Sequence, residues 1–395
     1  MNTRYLCRLL ICAALVLVPL AGARAQSDPD AWTTALINVR AGPGTGYAVL
    51  TQFQPGTALA VLARSPDYGW LLAVAVDRGV RGWVASGYVT FRAGFAVDRL
   101  PVSDAPLDET AAALPPETLP QYEIVAMYGT GDVVRTLAAR IDLDAYPLIP
   151  EATATARRIY RQGQARGRDP HAIAKVGDCN SVGYVFLHPF GEGRYELGDY
   201  SALQPVIDHF GASFTVLTRA AHNGMNAAAV LDPLWANPNA CQPGESPLAC
   251  EYRLHNPAFA VIMFGTNDLL ALDAEQFDRS LRRVAVETMQ AGIVPILSTF
   301  PRHLALPERS ILYNQIVVRV AHDYNLPLIN LWRALEPLPD HGIAADGFHL
   351  SGPLTGAGDF ATPANLRTGF PLRNLLTLQA LDAVWRGVTG GAPTP

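Results

Sequence analysis

The stretch Lys175-Val176-Gly177-Asp178-Cys179-Asn180-Ser181 directly follows the apolar run Ala172-Ile173-Ala174. A strand that ends in Gly-Asp and breaks into a turn presents the next side chain at the C-terminal edge of a sheet, where open α/β folds place their chemistry. That side chain is Cys179. The continuous apolar run 258–264, of the type a strand covered on both faces requires, ends in Gly265-Thr266-Asn267-Asp268 and brings an amide to the same edge. Near the C-terminus, Asp346-Gly347-Phe348-His349 sets a carboxylate three residues before an imidazole. A nucleophile, an amide donor and an Asp/His pair are the parts of acyl transfer.

Around these stretches helices and strands alternate. The pattern predicts a helix over 152–162, a strand ending at Asp178, strands at 214–217 and 261–264, a helix over 274–291 and a strand at 293–298. A helix over 308–324, a strand at 326–331 and a helix over 371–388 follow. Strands alternating with helices of this length predict a parallel sheet covered on both faces over residues 151–388. The Gly/Pro-containing tail 389–395 is expected to be disordered.

The N-terminus reads as an export signal. Arg4 and Arg8 precede an apolar run over 9–20, and Ala23-Arg24-Ala25 is a small-x-small site, so cleavage after Ala25 is expected. The run is shorter than the 18 or more residues a spanning helix needs, so no transmembrane anchor is expected after cleavage. Loss of three arginines and no acids moves the formal charge from −5 to −8, which argues against nucleic-acid binding. Arg157, Arg158, Arg161, Arg166 and Arg168 are read as a solvated helix face. Cys7 and Cys12 leave with the leader. In an oxidising compartment Cys241 and Cys250 could close the loop between them as a disulfide, the alternative being two unpaired thiols. Cys179 is then either a buried inert thiol or a reactive one.

Residues 35–47 run from a short alternating strand into a Gly/Pro turn, and short strands follow at 58–62, 70–76 and 82–84, the pattern of a small all-β barrel. Asn38-Val39-Arg40-Ala41-Gly42-Pro43-Gly44 and Gly82-Trp83-Val84 resemble a bacterial SH3-type domain over residues 31–92. That resemblance implies a module binding cell-wall peptides or glycans. Tyr47, Tyr68, Trp70 and Trp83 could supply an aromatic face, although a small barrel also needs its tryptophans as core. Residues 93–150 are rich in proline and read as a linker with small elements at 122–127 and 133–139.

The three blocks Gly177-Asp178-Cys179-Asn180-Ser181, Gly265-Thr266-Asn267-Asp268 and Asp346-Gly347-Phe348-His349 resemble those of the SGNH (GDSL-like) hydrolases. The resemblance implies a flavodoxin-like three-layer α/β fold with esterase, lipase or deacylase activity and no cofactor. It implies Cys179 as nucleophile, His349 as base and Asp346 as the carboxylate orienting it. The implied oxyanion hole is the backbone N–H of Cys179, the backbone N–H of Gly224 and the Asn267 side chain. Asp178 and Asp268 are expected to hold turns through their side chains.

The chain departs from the family at the nucleophile, where the family has serine. A thiol beside a histidine at a helix N-terminus is expected to ionise below its free pKa of about 8.5 and to attack esters or thioesters. Ser181 could instead be a nucleophile, but capping the next helix is its expected task. The remaining histidines show no His-x3-His or His-x-x-Glu-His pairing, so no metal site is expected. His188-Pro189-Phe190-Gly191 could line a cleft or only form a turn, and Tyr184, Phe186 and Trp332 are read as core. The same residues also fit a second class of function, a secreted protein that holds a cell-wall, glycan or acyl ligand without turnover.

Overall fold

The computed structural model describes residues 29–76, 80–92, 94–107 and 131–390. The leader, the element expected at 122–127 and nearly all of the tail lie outside them. Strands β1 (Ala31–Thr33), β2 (Ile37–Arg40), β3 (Val49–Phe53), β4 (Ala58–Arg64), β5 (Trp70–Ala75), β6 (Arg81–Ala85) and β7 (Val89–Phe91) form one antiparallel sheet. Their order is β3-β2-β6-β5-β4-β1-β7. Alternation makes this half-barrel: along β4, Leu59, Val61 and Ala63 are buried while the residues between them are not.

The four aromatic residues do not form one binding face. Trp70 and Trp83 are buried with Ala63 and Leu72, and the Trp83 indole N–H donates to the Ala105 carbonyl at 3.2 Å. The Tyr68 ring lies under the Arg64 and Arg140 guanidinium groups. Tyr47 packs against the backbone of Gly42, where a Cβ would come within 2.5 Å of its ring. In a barrel this small the two tryptophans, with Leu72, fill its second core. The first part of the expected linker is docked chain, because Leu107 N–H donates to Ala41 O at 2.7 Å and Val102 bridges to Arg64.

The second unit holds helices α1 (Gly131–Ala138) and α2 (Ala154–Ala165), then β8 (Asp169–Gly177). Next come α3 (His188–Gly191), α4 (Gln204–Phe214), α5 (Pro247–His255), β9 (Pro257–Met263), α6 (Asp268–Ala271) and α7 (Ala274–Gln290). The series closes with β10 (Val294–Ser298), α8 (Pro307–Asp323), β11 (Leu328–Ile329), α9 (Leu331–Leu335) and α10 (Gly369–Thr389). The four strands are parallel in the order β11-β10-β9-β8. Every residue of β9 is buried, as a central strand covered on both faces must be. Helices α2, α4 and α10 cover one face, where Tyr160 and Phe210 meet Phe259, and α5, α7 and α8 cover the other.

The strand expected at 214–217 is absent. Phe214 ends α4, and only Ala221 reaches the free edge of β8, in a single parallel bridge to Gly177. That bridge occupies the place of the second strand in a 2-1-3-4-5 order. Side chains make the contacts along this edge instead, with Lys175 Nζ donating to Phe214 O at 2.9 Å and the Thr218 hydroxyl to Lys175 O at 2.7 Å. The arginine cluster is only in part a solvated face: Arg157, Arg161 and Arg166 are exposed. Arg158 is buried and donates to Gly46 O of the barrel, while Arg157, Arg166 and Arg168 donate to the carbonyls of Gly387, Gln290 and Ala291. Cys241 and Cys250 are joined as a disulfide.

Barrel and α/β unit share a buried charge cluster. Arg282 donates to Asp278 at 2.9 Å and to Asp323 at 2.6 Å, and Tyr88 of the barrel lines the same small cavity as Arg282 and Asp323. Removing this cation alone strips the buried Asp278 of its guanidinium and leaves Asp323 only Arg319 Nε at 3.8 Å. We expect Arg282→Leu to lower unfolding stability in urea by about 3–5 kcal/mol. A loss below about 1 kcal/mol would mean that the pair carries no net stabilisation.

Candidate active site

β8 delivers Cys179, the candidate nucleophile. Gly177 lies so close to β9 that a Cβ would come within 2.4 Å of Met263 O and 2.5 Å of Ser181 Oγ, so only glycine permits the strand to pass there before the chain turns. Asp178 then caps the turn Cys179–Ser181, its carboxylate accepting from Asn180 N–H at 3.0 Å. β9 ends in a second constraint. Gly265 has φ +143°, and a Cβ would overlap the Phe300 ring, so the chain can swing to present Asn267.

Two buried side chains tie these loops together. Asp268 accepts from Gly265 N–H at 2.9 Å and from Ala227 N–H at 2.8 Å, joining the turn after β9 to the loop holding Gly224. Asn180, fully buried, accepts from Leu350 N–H at 3.1 Å and donates to the Thr266 hydroxyl at 3.3 Å. The chain next to His349 is thereby fastened to the chain next to Cys179.

Asn267 donates to Met225 O at 2.9 Å, and the same Nδ2 lies 4.0 Å from Cys179 Sγ. Gly224 is exposed in the adjoining turn with φ +80°. His349 Nδ1 lies 2.7 Å from Asp346 Oδ2, while Asp346 Oδ1 accepts from the backbone of Phe348 and His349. Partial burial opposes the Asp346 charge, but the ring and these amides outweigh it and hold the carboxyl below its ordinary range. The ring is so fixed by Asp346 that its other nitrogen is left for a substrate or nucleophile. No hydrogen bond joins His349 to Cys179 among the described residues.

Cys179 is half-buried and free. Its thiol is not ionised as expected: burial, and then the Asp178 carboxylate, push it up to about 12. The resting group is a neutral thiol. Burial also pushes the Asp268 carboxyl up to about 7, with Asp178 adding to it, so the region disfavours a second negative charge.

Sequence reasoning missed Arg373. Carried by α10, it is buried behind the turn, donates to Asn180 O and Ser181 Oγ, and lies 3.7 Å from the Phe186 ring centroid. Burial lowers its pKa to about 9 against the attraction of Asp178 and Cys179. Nothing marks one arginine in an amphipathic helix as different from its neighbours. Ser181 accepts from Arg373 and is buried, so it neither caps a helix nor faces the site. His188 and Phe190 are buried in α3, a structural turn, and Tyr184 stands exposed on the surface rather than in the core.

Residues 34–90 match the family described as Bacterial SH3 domain. Solved structures that resemble the chain are esterases and lipases. One is the psychrotrophic esterase EstA from Pseudoalteromonas sp., with 16% identity, 53% of this chain and 96% of that chain covered, and a TM-score of 0.35. Another is a GDSL-like lipase from Bacteroides thetaiotaomicron, with 14% identity, 57% and 96% covered, and a TM-score of 0.33. A third is a catalytic mutant of Axe2, an acetylxylan esterase from Geobacillus stearothermophilus, with 16% identity, 55% and 96% covered, and a TM-score of 0.34. These likenesses are too distant to carry a residue's role across. No curated protein sequence matches the chain. Among the described residues no helix is long and apolar enough to cross a membrane.

A neutral resting thiol has a direct signature. The rate of Cys179 alkylation by iodoacetamide should rise about tenfold per pH unit from pH 7 to pH 10 without levelling. Levelling below pH 9 would show an ionised or imidazole-paired thiol. Slow alkylation at neutral pH therefore does not separate turnover from binding, and hydrolysis must do so.

Proposed function

We propose that the α/β unit is an acyl-ester hydrolase whose nucleophile is Cys179. The observation that carries this reading is the Asn267 carboxamide, held by Met225 O and 4.0 Å from Cys179 Sγ. It stands at the sheet edge where the His349–Asp346 pair is fastened by Asn180. An amide so aimed is of use to an oxyanion.

In this reading His349 takes the Cys179 proton as sulfur attacks the acyl carbonyl, because a thiol with a raised pKa needs a base in the step itself. The oxyanion sits on the N–H groups of Cys179 and Gly224 and on Asn267. The C–O bond to the alcohol breaks as imidazolium returns the proton to the leaving oxygen. Water, deprotonated by His349, then attacks the acyl-thioester, and the departing sulfur recovers a proton. Ester groups on extracellular glycans or small lipid esters are the proposed substrates, with the SH3-type barrel holding cell-wall peptide or glycan. Export is supported by the leader-like N-terminus and by the Cys241–Cys250 disulfide, which an oxidising compartment preserves.

The raised Cys179 pKa favours a second reading, a secreted glycan- or acyl-binding protein with no turnover. Hydrolysis of p-nitrophenyl acetate and butyrate under mild reduction decides between them. Catalysis predicts that Cys179→Ala abolishes turnover and that His349→Ala lowers kcat by about 10²–10⁴-fold. Wild type and Cys179→Ala alike at background, with activity gained in Cys179→Ser, would leave the binding reading standing.

A further inference from the structure

At the seam between barrel and α/β unit, three ligand-type atoms converge without hydrogen bonds. Asp67, in the β4–β5 loop, uses Oδ1 to accept from the Ser65 hydroxyl at 2.5 Å, and its buried Oδ2 has no hydrogen-bond partner. Asp323, at the end of α8, gives Oδ2 to Arg282 and leaves its buried Oδ1 without one. His322 Nδ1 is buried and likewise unbonded. These three atoms lie within 4.8 Å of one another.

His322 and Asp67 form a close ion pair, and Asp323 Oδ1 lies beside it without a partner of its own. His322 Nδ1 and Asp67 Oδ2 are 2.8 Å apart yet make no aligned hydrogen bond. The two carboxylate oxygens also border one point beside Gly69. A Cβ on Gly69 would lie 2.5 Å from Asp67 Oδ2 and 2.8 Å from Asp323 Oδ1. Buried carboxylate oxygens facing each other repel unless a cation or proton stands between them. The other cluster of this type, Cys241, Glu245 and Cys250, has its sulfurs committed to the disulfide.

We propose that Asp67, His322 and Asp323 bind one divalent cation of the zinc type, which clamps the SH3-type barrel to the α/β unit. One imidazole nitrogen and two carboxylate oxygens suit such an ion, and three protein ligands leave room for water. Ligand spacing along the chain gives no sign of it, because the fold brings Asp67 to α8 from the other unit. The site lies apart from Cys179 and serves stability and domain orientation, whatever the α/β unit catalyses.

The test uses the whole chain stripped with EDTA and given zinc chloride. Wild type should retain one zinc per chain after gel filtration, counted by mass spectrometry, and its Tm should rise by a few degrees. Asp67→Asn and His322→Gln should each weaken binding by at least about 100-fold and abolish the Tm response, while keeping the wild-type Tm in EDTA. Should the variants not fold, wild type alone decides, since bound zinc must protect His322 from diethyl pyrocarbonate in peptide mapping. Equal zinc in wild type and variants, a wild-type Tm indifferent to zinc, or no protection of His322 would overturn the site and leave only an imidazolium–carboxylate pair.

Discussion

The candidate site depends on one buried carboxamide. Asn180 reaches Leu350 with its oxygen and Thr266 with its nitrogen, so the loops after β8, after β9 and before α10 share one hydrogen-bonded centre. Each partner is a buried polar group that would cost about 1–3 kcal/mol if left unpaired. Arg373 braces the same turn from behind through Asn180 O and Ser181 Oγ. The consequence for chemistry is positional: Cys179, Asn267 and His349 come from distant parts of the chain, yet the backbone beside each is fastened to the others.

The electrostatics of this arrangement set how the thiol can act. Asp178 and Asp268 are both buried, and desolvation raises the pKa of each. Arg373 is the nearby cation that offsets them, at the cost of a lowered pKa of its own. A thiolate at Cys179 would add charge to a place already short of counter-charge. In the proposed reaction a thiol here starts neutral and depends on His349 when it attacks.

Much of this was legible in the residues. The apolar run before Gly265 is a strand buried over its whole length, and the Asp346/His349 spacing gives a 2.7 Å contact because the intervening Gly347, at φ +87°, lets the loop turn back. The two cysteines flanking one loop allowed a disulfide or two free thiols, and the disulfide is what forms. What escaped depends on tertiary context. The segment 214–217 has strand composition, but it lies at a sheet edge where side chains satisfy its polar groups. Trp70 and Trp83 are core, as a small barrel requires, and which other aromatics stay outside it depends on the fold. Cys179 was expected to ionise because sequence shows the neighbouring histidine and not the depth of burial or the Asp178 carboxylate behind it. Arg373 and Asp67 gain their meaning only from residues far away in the chain.

The central claim is that Cys179 becomes acylated with His349 as its base. Rapid mixing of the full chain with p-nitrophenyl butyrate, acid quench and peptide mass spectrometry reads this directly. A catalytic thiol predicts a butyryl group on the Cys179 peptide within the first turnover, formed far more slowly in His349→Ala. No butyryl adduct on that peptide, or equal rates of acylation with and without His349, would contradict it.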